Sequence, residues 1–246
     1  MQRRSFLAGI AAAFTAGCSK VGDSAWFGDV VKQAGELHRA AHRGLAGPNA
    51  LAPEYGKADI SPYFRGNGST DIDTDAYRAA QENGFADWRL EVRGMVDHPL
   101  SLSMDQLRAL PQRTQITRHD CVEGWSAIGE WTGPQLSTLL EMAGLQEGAN
   151  YLVFRCADNL SGSDYYESCD LNDGYHPQTI IAHLLNGEPL PVRNGAPLRL
   201  RLERQLGYKH AKYLTAIEAV PSLAPIGKGK GGYWEDRSGY QWYGGI

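Results

Sequence analysis

Apolar and polar residues alternate from Trp88 to Val96, the period of a half-buried strand. Ser103, with Gln106 three residues on, forms a capping-box pair and predicts a short helix with Met104, Leu107 and Leu110 on its apolar face. Residues 114–117 read as a strand running toward Cys121. Gly133-Pro134 reads as the opening of a second helix, with Pro134 in its first turn. Leu136, Leu139, Leu140 and Met142 keep that helical period, and Gly144 stops it. Residues 151–155 are a buried-strand candidate, and residues 179–185 read as a short helix ending near Gly187. Leu198-Arg199-Leu200-Arg201-Leu202 alternates strictly and predicts another strand, with a last one over 212–220. Strands and helices mix without a βαβ rhythm, so the expected class is α+β. Residues 19–60 show little periodicity and are interrupted by Gly44, Gly47, Pro48 and Pro53. They are expected to form an extended arm ahead of a domain spanning 61–246.

Composition narrows the class. The 246 residues are 42% hydrophobic and 21% charged, enough for a sizeable core and unlike a disordered chain. Lys+Arg is 24 against Asp+Glu 28, and this balance argues against a nucleic-acid partner. No GxxxxGK[ST] occurs, so a phosphate-loop nucleotide site is unsupported. The four cysteines, Cys18, Cys121, Cys156 and Cys169, are too few for a disulfide scaffold. The longest apolar run, residues 6–16, is shorter than the ~20 residues of a membrane span.

The first 18 residues read as an address. Arg3-Arg4-Ser5-Phe6-Leu7 before a weakly apolar segment has the form of a twin-arginine export signal, which implies a periplasmic protein that folds before crossing. Thr15-Ala16-Gly17-Cys18 resembles a lipobox, making Cys18 a candidate lipid anchor, with simple cleavage near Ala16-Gly17 as the alternative.

The densest chemistry lies in Arg118-His119-Asp120-Cys121-Val122-Glu123-Gly124-Trp125. Cys121 is open to three readings: a nucleophile favoured by nearby cations, a zinc ligand with His119, Cys156 and Cys169, or a buried structural thiol. The alternating faces of a strand are read as keeping His119 from serving Cys121 as a base. A cysteine-dependent hydrolase and a non-catalytic periplasmic binding lipoprotein are both open readings of these residues.

From Thr117 through Cys121 to Gly133, the chain resembles the sulfite oxidase family of molybdopterin enzymes. The likeness extends over roughly residues 55–246. It implies a mixed α/β molybdopterin-binding fold and a molybdenum ion ligated by the Cys121 thiolate, a soft donor suited to such a metal. It also implies cofactor contacts at Phe64, Arg65 and Asn67, at Asp158, at Asn194 and Arg199, and at Gly207, Tyr208, Lys209, His210 and Lys212. Arg199, Lys209, His210 and Lys212 would meet an anionic phosphate, and Gly207 would allow close backbone approach. Tyr240 matches the family's active-site tyrosine. The implied reaction is oxygen-atom transfer at an oxo-molybdenum centre on a small substrate, sulfite or a sulfoxide such as oxidised methionine. One departure bears on substrate: the arginine that sulfite-oxidising members place two residues after the Phe is Gly66 here. The chain has no CxxCH haem motif, so electrons are expected from a separate partner, of the membrane cytochrome b class. Cys156 and Cys169 are read either as a disulfide formed after export or as two buried thiols.

Overall fold

The computed structural model describes residues 24–47, 49–160 and 162–246. The Arg3-Arg4 pair and the Cys18 lipobox lie outside the described residues. The chain divides into two compact units, Met1–Gly47 and Pro48–Ile246.

In the first unit, Ala25–Ala46 form one 22-residue helix, α1, and this corrects the extended arm expected over 19–60. Three interior glycines, Gly28, Gly35 and Gly44, cost about 1 kcal/mol each relative to alanine. Good helix formers surround them, and Trp26, Val30, Ala34, Leu37 and Ala41 recur at helical spacing. Gly47, at φ 78°, terminates the helix instead of preventing it. Residues 49–60 belong to the second unit. There the Tyr55 amide donates to the Ile116 carbonyl at 2.9 Å and the Ala52 amide to Gln178 Oε1 at 2.8 Å.

The second unit carries, in chain order, α2 (Asp75–Glu82), β1 (Arg89–Gly94), β2 (Leu100–Ser103), α3 (Met104–Ala109), β3 (Gln112–Cys121), β4 (Trp125–Pro134) and α4 (Leu136–Ala143). These are followed by β5 (Tyr151–Leu160), β6 (Ser163–Asp170), α5 (Leu171–Gly174), β7 (Ile180–Ala182), β8 (Leu184–Leu185) and β9 (Glu188–Pro189). The last elements are β10 (Arg199–Arg201), β11 (Leu214–Val220) and α6 (Tyr233–Ser238). A five-stranded sheet has the order β2-β1-β11-β5-β6, a four-stranded sheet the order β3-β4-β8-β9, and β7 pairs with β10. Only the β1–β11 contact is parallel within the large sheet. The mixed class expected from the sequence is therefore the class observed.

The main core packs Leu90, Val92, Leu107, Leu136, Leu139, Leu140, Phe154 and Ile217 between the large sheet and helices α3 and α4. The Ser103–Gln106 capping box forms as expected, with the Gln106 amide donating to Ser103 Oγ and the Ser103 amide to Gln106 Oε1. A second cluster gathers Phe64, Trp131, Ile180 and Leu185 beside the smaller sheets.

Two local expectations are corrected. Gly133 and Pro134 end β4, and α4 begins only after Gln135. A Cβ at Gly133 would lie 2.0 Å from the Ile181 carbonyl oxygen, so this glycine exists to let β7 pass. Residues 179–185 form β7 and β8, not a helix, because Ile180-Ile181 are β-branched and buried, and their backbone pairs with β10. Cys156 and Cys169 are both free. Cys169 lies opposite Leu152, four residues before Cys156, which puts the two roughly 13 Å apart along the strands and beyond disulfide reach.

Gly133→Ala should lower stability by about 1–3 kcal/mol, since the methyl meets backbone and cannot be absorbed by a rotamer change. A urea melt should show a lower midpoint with an unchanged slope.

Candidate active site

Cys121 is the last residue of β3, at the tip of a hairpin closed by Val122, Glu123 and Gly124. Gly124, at φ 85°, supplies the left-handed position that this three-residue turn needs. Gln115, Thr117, His119 and Cys121 recur at intervals of two and all face inward. His119 and Cys121 thus share a face, which corrects the reading that a strand would separate them.

A pocket of about 630 Å³, counting its open mouth, lies against Cys121. Eight residues named from the sequence line it: Asn67, Cys121, Asp158, Gly207, Tyr208, His210, Lys212 and Tyr240. They arrive from five parts of the chain, and each has a local cause. Asp158 sits in an irregular stretch of β5 where the register with β6 slips between Arg155 and Asn159. Gly207 lies against the His119 ring, where a Cβ would come within 2.3 Å of Nε2. Tyr240 stands at the mouth, 36% exposed, stacked on Trp234 at 5.9 Å and edge-on to Tyr208 at 5.1 Å.

The floor of the site is cationic. Arg199 and Arg201 are consecutive same-face residues of β10, fully buried, over the Trp131 ring at 5.3 Å and 4.3 Å. Arg201 forms a bidentate pair with Glu203 at 2.9 Å and 2.7 Å. Arg199 has no carboxylate partner: it donates to the Asn194 carbonyl and to Asn67 Oδ1, each at 3.1 Å, and its Nε–H is unmatched. Lys212 is buried and donates to the carbonyls of Asn67, at 2.5 Å, and Ser69. Burial and neighbouring Arg201 bring Arg199 down to about 9, and burial with Arg199 brings Lys212 down to about 7.

Two histidines are held neutral beside them. Arg201 donates to His119 Nδ1 at 3.1 Å, which leaves the proton on His119 Nε2, a buried donor without a partner. His210 Nε2 donates to the Leu202 and Gln205 carbonyls at 2.9 Å and 3.0 Å, leaving Nδ1 as an unmatched acceptor. Burial and the two arginines push both rings well below the usual histidine range. Asp158 Oδ2 accepts from Ser69 Oγ while Oδ1 is buried and unmatched, and burial raises this carboxyl. Burial likewise raises the Cys121 thiol, opposed by the Glu123 amide and by the Arg199 and Lys212 charges.

These groups fit a molybdopterin. Two buried cations are hydrogen-bonded only to carbonyl oxygens, with Asp158 acting on Lys212 through space. Unmatched Asp158 Oδ1 accepts from an N–H, and Cys121 offers a soft ligand for the metal.

The remaining expected contacts lie elsewhere. Phe64 is a plug behind the site, edge-on to Trp131 at 5.0 Å and 5.6 Å from the His119 ring. Asn194 is buried and braces the loop by donating to the Arg65 carbonyl at 3.1 Å. The Arg65 side chain is exposed and points into a separate cleft. Lys209 is not a ligand contact: it is fully buried in ion pairs with Glu167 at 2.5 Å and Glu235 at 2.8 Å. Against the cost of burial, those two carboxylates hold its ammonium above the usual lysine range. Sequence reasoning missed Arg201, Trp131, Ser69 and Tyr165, and gave His119 no cofactor role. Arg201 had a signal, since a strict alternation that puts Arg199 in a site must put Arg201 on the same face.

The fold and this site define a molybdenum-dependent oxidoreductase that uses molybdopterin. Residues 77–224 match the family described as the oxidoreductase molybdopterin binding domain. A chain of Azospira oryzae provisionally named protein-methionine-sulfoxide reductase subunit YedZ1 is 42% identical over 201 residues, 82% of this chain and 70% of that one. The protein-methionine-sulfoxide reductase catalytic subunit MsrP of Xanthomonas campestris pv. campestris is 34% identical over 161 residues. That match covers 61% of this chain and half of the relative's length. Among solved structures, the sulfane dehydrogenase SoxCD of Paracoccus pantotrophus shares the fold, with a TM-score of 0.51 at 23% identity over 56% of this chain and 39% of that one. The chain belongs to the oxidoreductase molybdopterin-binding domain family, within the sulfite oxidase group that its motifs resemble.

Lys212 gives a test of the unmatched charge. Its folded value of about 7 lies below the ordinary 10.5. The unfolded chain therefore binds more protons between those values, and stability should rise with pH across that window. In protein made without cofactor, the melting temperature of wild type relative to Lys212→Met should climb from pH 7 to 10. A constant difference between the two would remove the unmatched charge from the account.

Proposed function

We propose that this oxidoreductase reduces sulfoxides, oxidised methionine among them. The observation that carries this is the pocket lining. The cations of the site, Arg199 and Lys212, lie at its floor, whereas its mouth is walled by Tyr208, Trp234 and Tyr240. A neutral, partly apolar sulfoxide suits such a mouth better than the sulfite anion does. Gly66, standing where sulfite-oxidising members carry arginine, supports the same choice. The names of the relatives in Azospira and Xanthomonas point the same way.

Each side chain has a task in this reading. Cys121 ligates the metal through its thiolate. Arg199 and Lys212 neutralise the anionic part of the cofactor, and Asp158 matches an N–H group of it. Tyr240 offers a phenol donor at the mouth for the sulfoxide oxygen. When bound, the molybdenum cofactor supplies two-electron oxygen-atom transfer, so that a sulfoxide, two electrons and two protons give a sulfide and water. The aromatic wall around Tyr240 sheds water from the substrate side. A cysteine-dependent hydrolase is disfavoured, because His119 already accepts from Arg201 through Nδ1 and its Nε2 abuts Gly207.

The electrons are assigned to a separate redox partner of the membrane cytochrome b class. Among the described residues no helix is long and apolar enough to cross a membrane. Arg3-Arg4 and the 15–18 segment support export to the periplasm by the twin-arginine route and a lipid anchor at Cys18.

Protein from a pterin-competent host should carry about one molybdenum per chain by elemental analysis and reduce methionine sulfoxide with reduced viologen as donor. Cys121→Ser should keep the fold by circular dichroism and lose turnover. Turnover at the wild-type level in that variant would overturn the assignment.

A further inference from the structure

A second cleft, of about 820 Å³ with its open side, adjoins the Cys121 pocket. Tyr63, Arg65, Arg193 and Trp125 form its walls, and Glu123 lines both cavities. The two cavities also share one loop: the pocket takes Asn67, Gly68 and Ser69, and the cleft takes Arg65, Gly66 and Thr70 on either side of them.

Other surface arginines have acceptors: Arg89 donates to the Ala86 and Trp88 carbonyls and Arg237 to Ser163 Oγ. Arg78, Arg93, Arg108, Arg113, Arg118 and Arg155 each pair with a carboxylate. Among the described residues, no carboxylate or hydrogen-bond acceptor meets the guanidinium of Arg65 or of Arg193. Arg193 lies over the Tyr63 ring at 5.2 Å, which keeps it extended along the wall. The one carboxylate lining the cleft, Glu123, accepts from Trp125 Nε1 at 3.0 Å. The scaffold between the two arginines is fixed. The Arg65 carbonyl accepts from Asn194 Nδ2, next in sequence to Arg193. A Cβ at Gly66 would meet both the Arg193 carbonyl oxygen and Thr70 Cγ2 at 2.9 Å. Gly66 therefore serves to bring the two arginines' backbones together.

We propose that this cleft binds carboxylate side chains flanking the sulfoxide residue of a polypeptide substrate. The inference rests on the sulfoxide reading above and adds to it a preference for acidic sequence context. Two unpaired guanidiniums beside aromatic walls suit carboxylates on an extended chain, and the shared Glu123 edge lets one peptide enter both cavities.

The test uses the molybdenum-loaded holoenzyme and three synthetic peptides, each with one methionine sulfoxide flanked by Glu, Gln or Lys. Steady-state kinetics with reduced viologen should give a kcat/KM about tenfold higher for the Glu peptide than for the Gln peptide. The gain should lie in KM, the size expected of two partly exposed ion pairs. Arg193→Gln and Arg65→Gln, singly and together, should shrink that ratio toward one, and so should salt. Fluorescence anisotropy of a labelled Glu-flanked methionine sulfone peptide reads the cleft without turnover. Arginine-dependent binding there, with no reduction of any sulfoxide, would keep the cleft and overturn the sulfoxide reading. Equal kcat/KM for Glu and Gln peptides, or a Glu preference that survives both arginine substitutions, would overturn the cleft proposal.

Discussion

Five long cations, Arg199, Arg201, Arg204, Lys209 and Lys212, are buried within this one unit, and the protein gives a carboxylate to three of them, Arg204 through Asp173. Glu203 takes Arg201, and Glu167 with Glu235 takes Lys209. Arg199 and Lys212 receive only carbonyl oxygens. A buried charge without a counter-charge costs several kcal/mol, so this division places a positive well beside Cys121. A ligand that brings the missing negative charge lowers the energy of the folded state by binding it, and cofactor loading is in this sense part of folding.

The apolar parts hold that well in register. Trp131 is a shelf under both arginines of β10, and Phe64 closes the edge of the shelf against His119. The same alternation that turns Thr117, His119 and Cys121 inward on β3 turns Arg118 and Asp120 outward into a surface ion pair. One strand therefore delivers the metal ligand, a neutral donor and a solvent-facing edge without any special loop. On the opposite side, the Lys209 clamp ties α6, which carries Trp234, to β6 and so fixes one wall of the mouth.

Much of this was legible in the chain. Period-two and capping signals gave β1, α3, β10 and β11 because each depends on neighbours close in sequence. Residues 179–185 misled because helical spacing and a doubly buried strand look alike over so short an apolar run. Pro134 misled because its partner constraint, the Ile181 backbone, lies far along the chain. In the site, eight of the residues named from motif likeness line the pocket. It could not separate Lys209 from Lys212, which are three residues apart and both basic. What separates them is the identity of the acids nearby: Glu167 and Glu235 come from other elements, and Lys212 meets only the carbonyls of a loop 145 residues earlier.

The strand order of the large sheet has a consequence for biosynthesis. Its central strand, β11, follows all four of its sheet partners in the chain, yet it joins β1 on one side to β5 on the other. A ribosome that has released residues up to 200 holds two half-sheets with facing unpaired edges and an apolar core open between them. Only residues 214–220 bring in the wedge, and Lys212 arrives just ahead of it. Until then the two strand pairs cannot join into one sheet, and Lys212 cannot reach the Asn67 and Ser69 carbonyls.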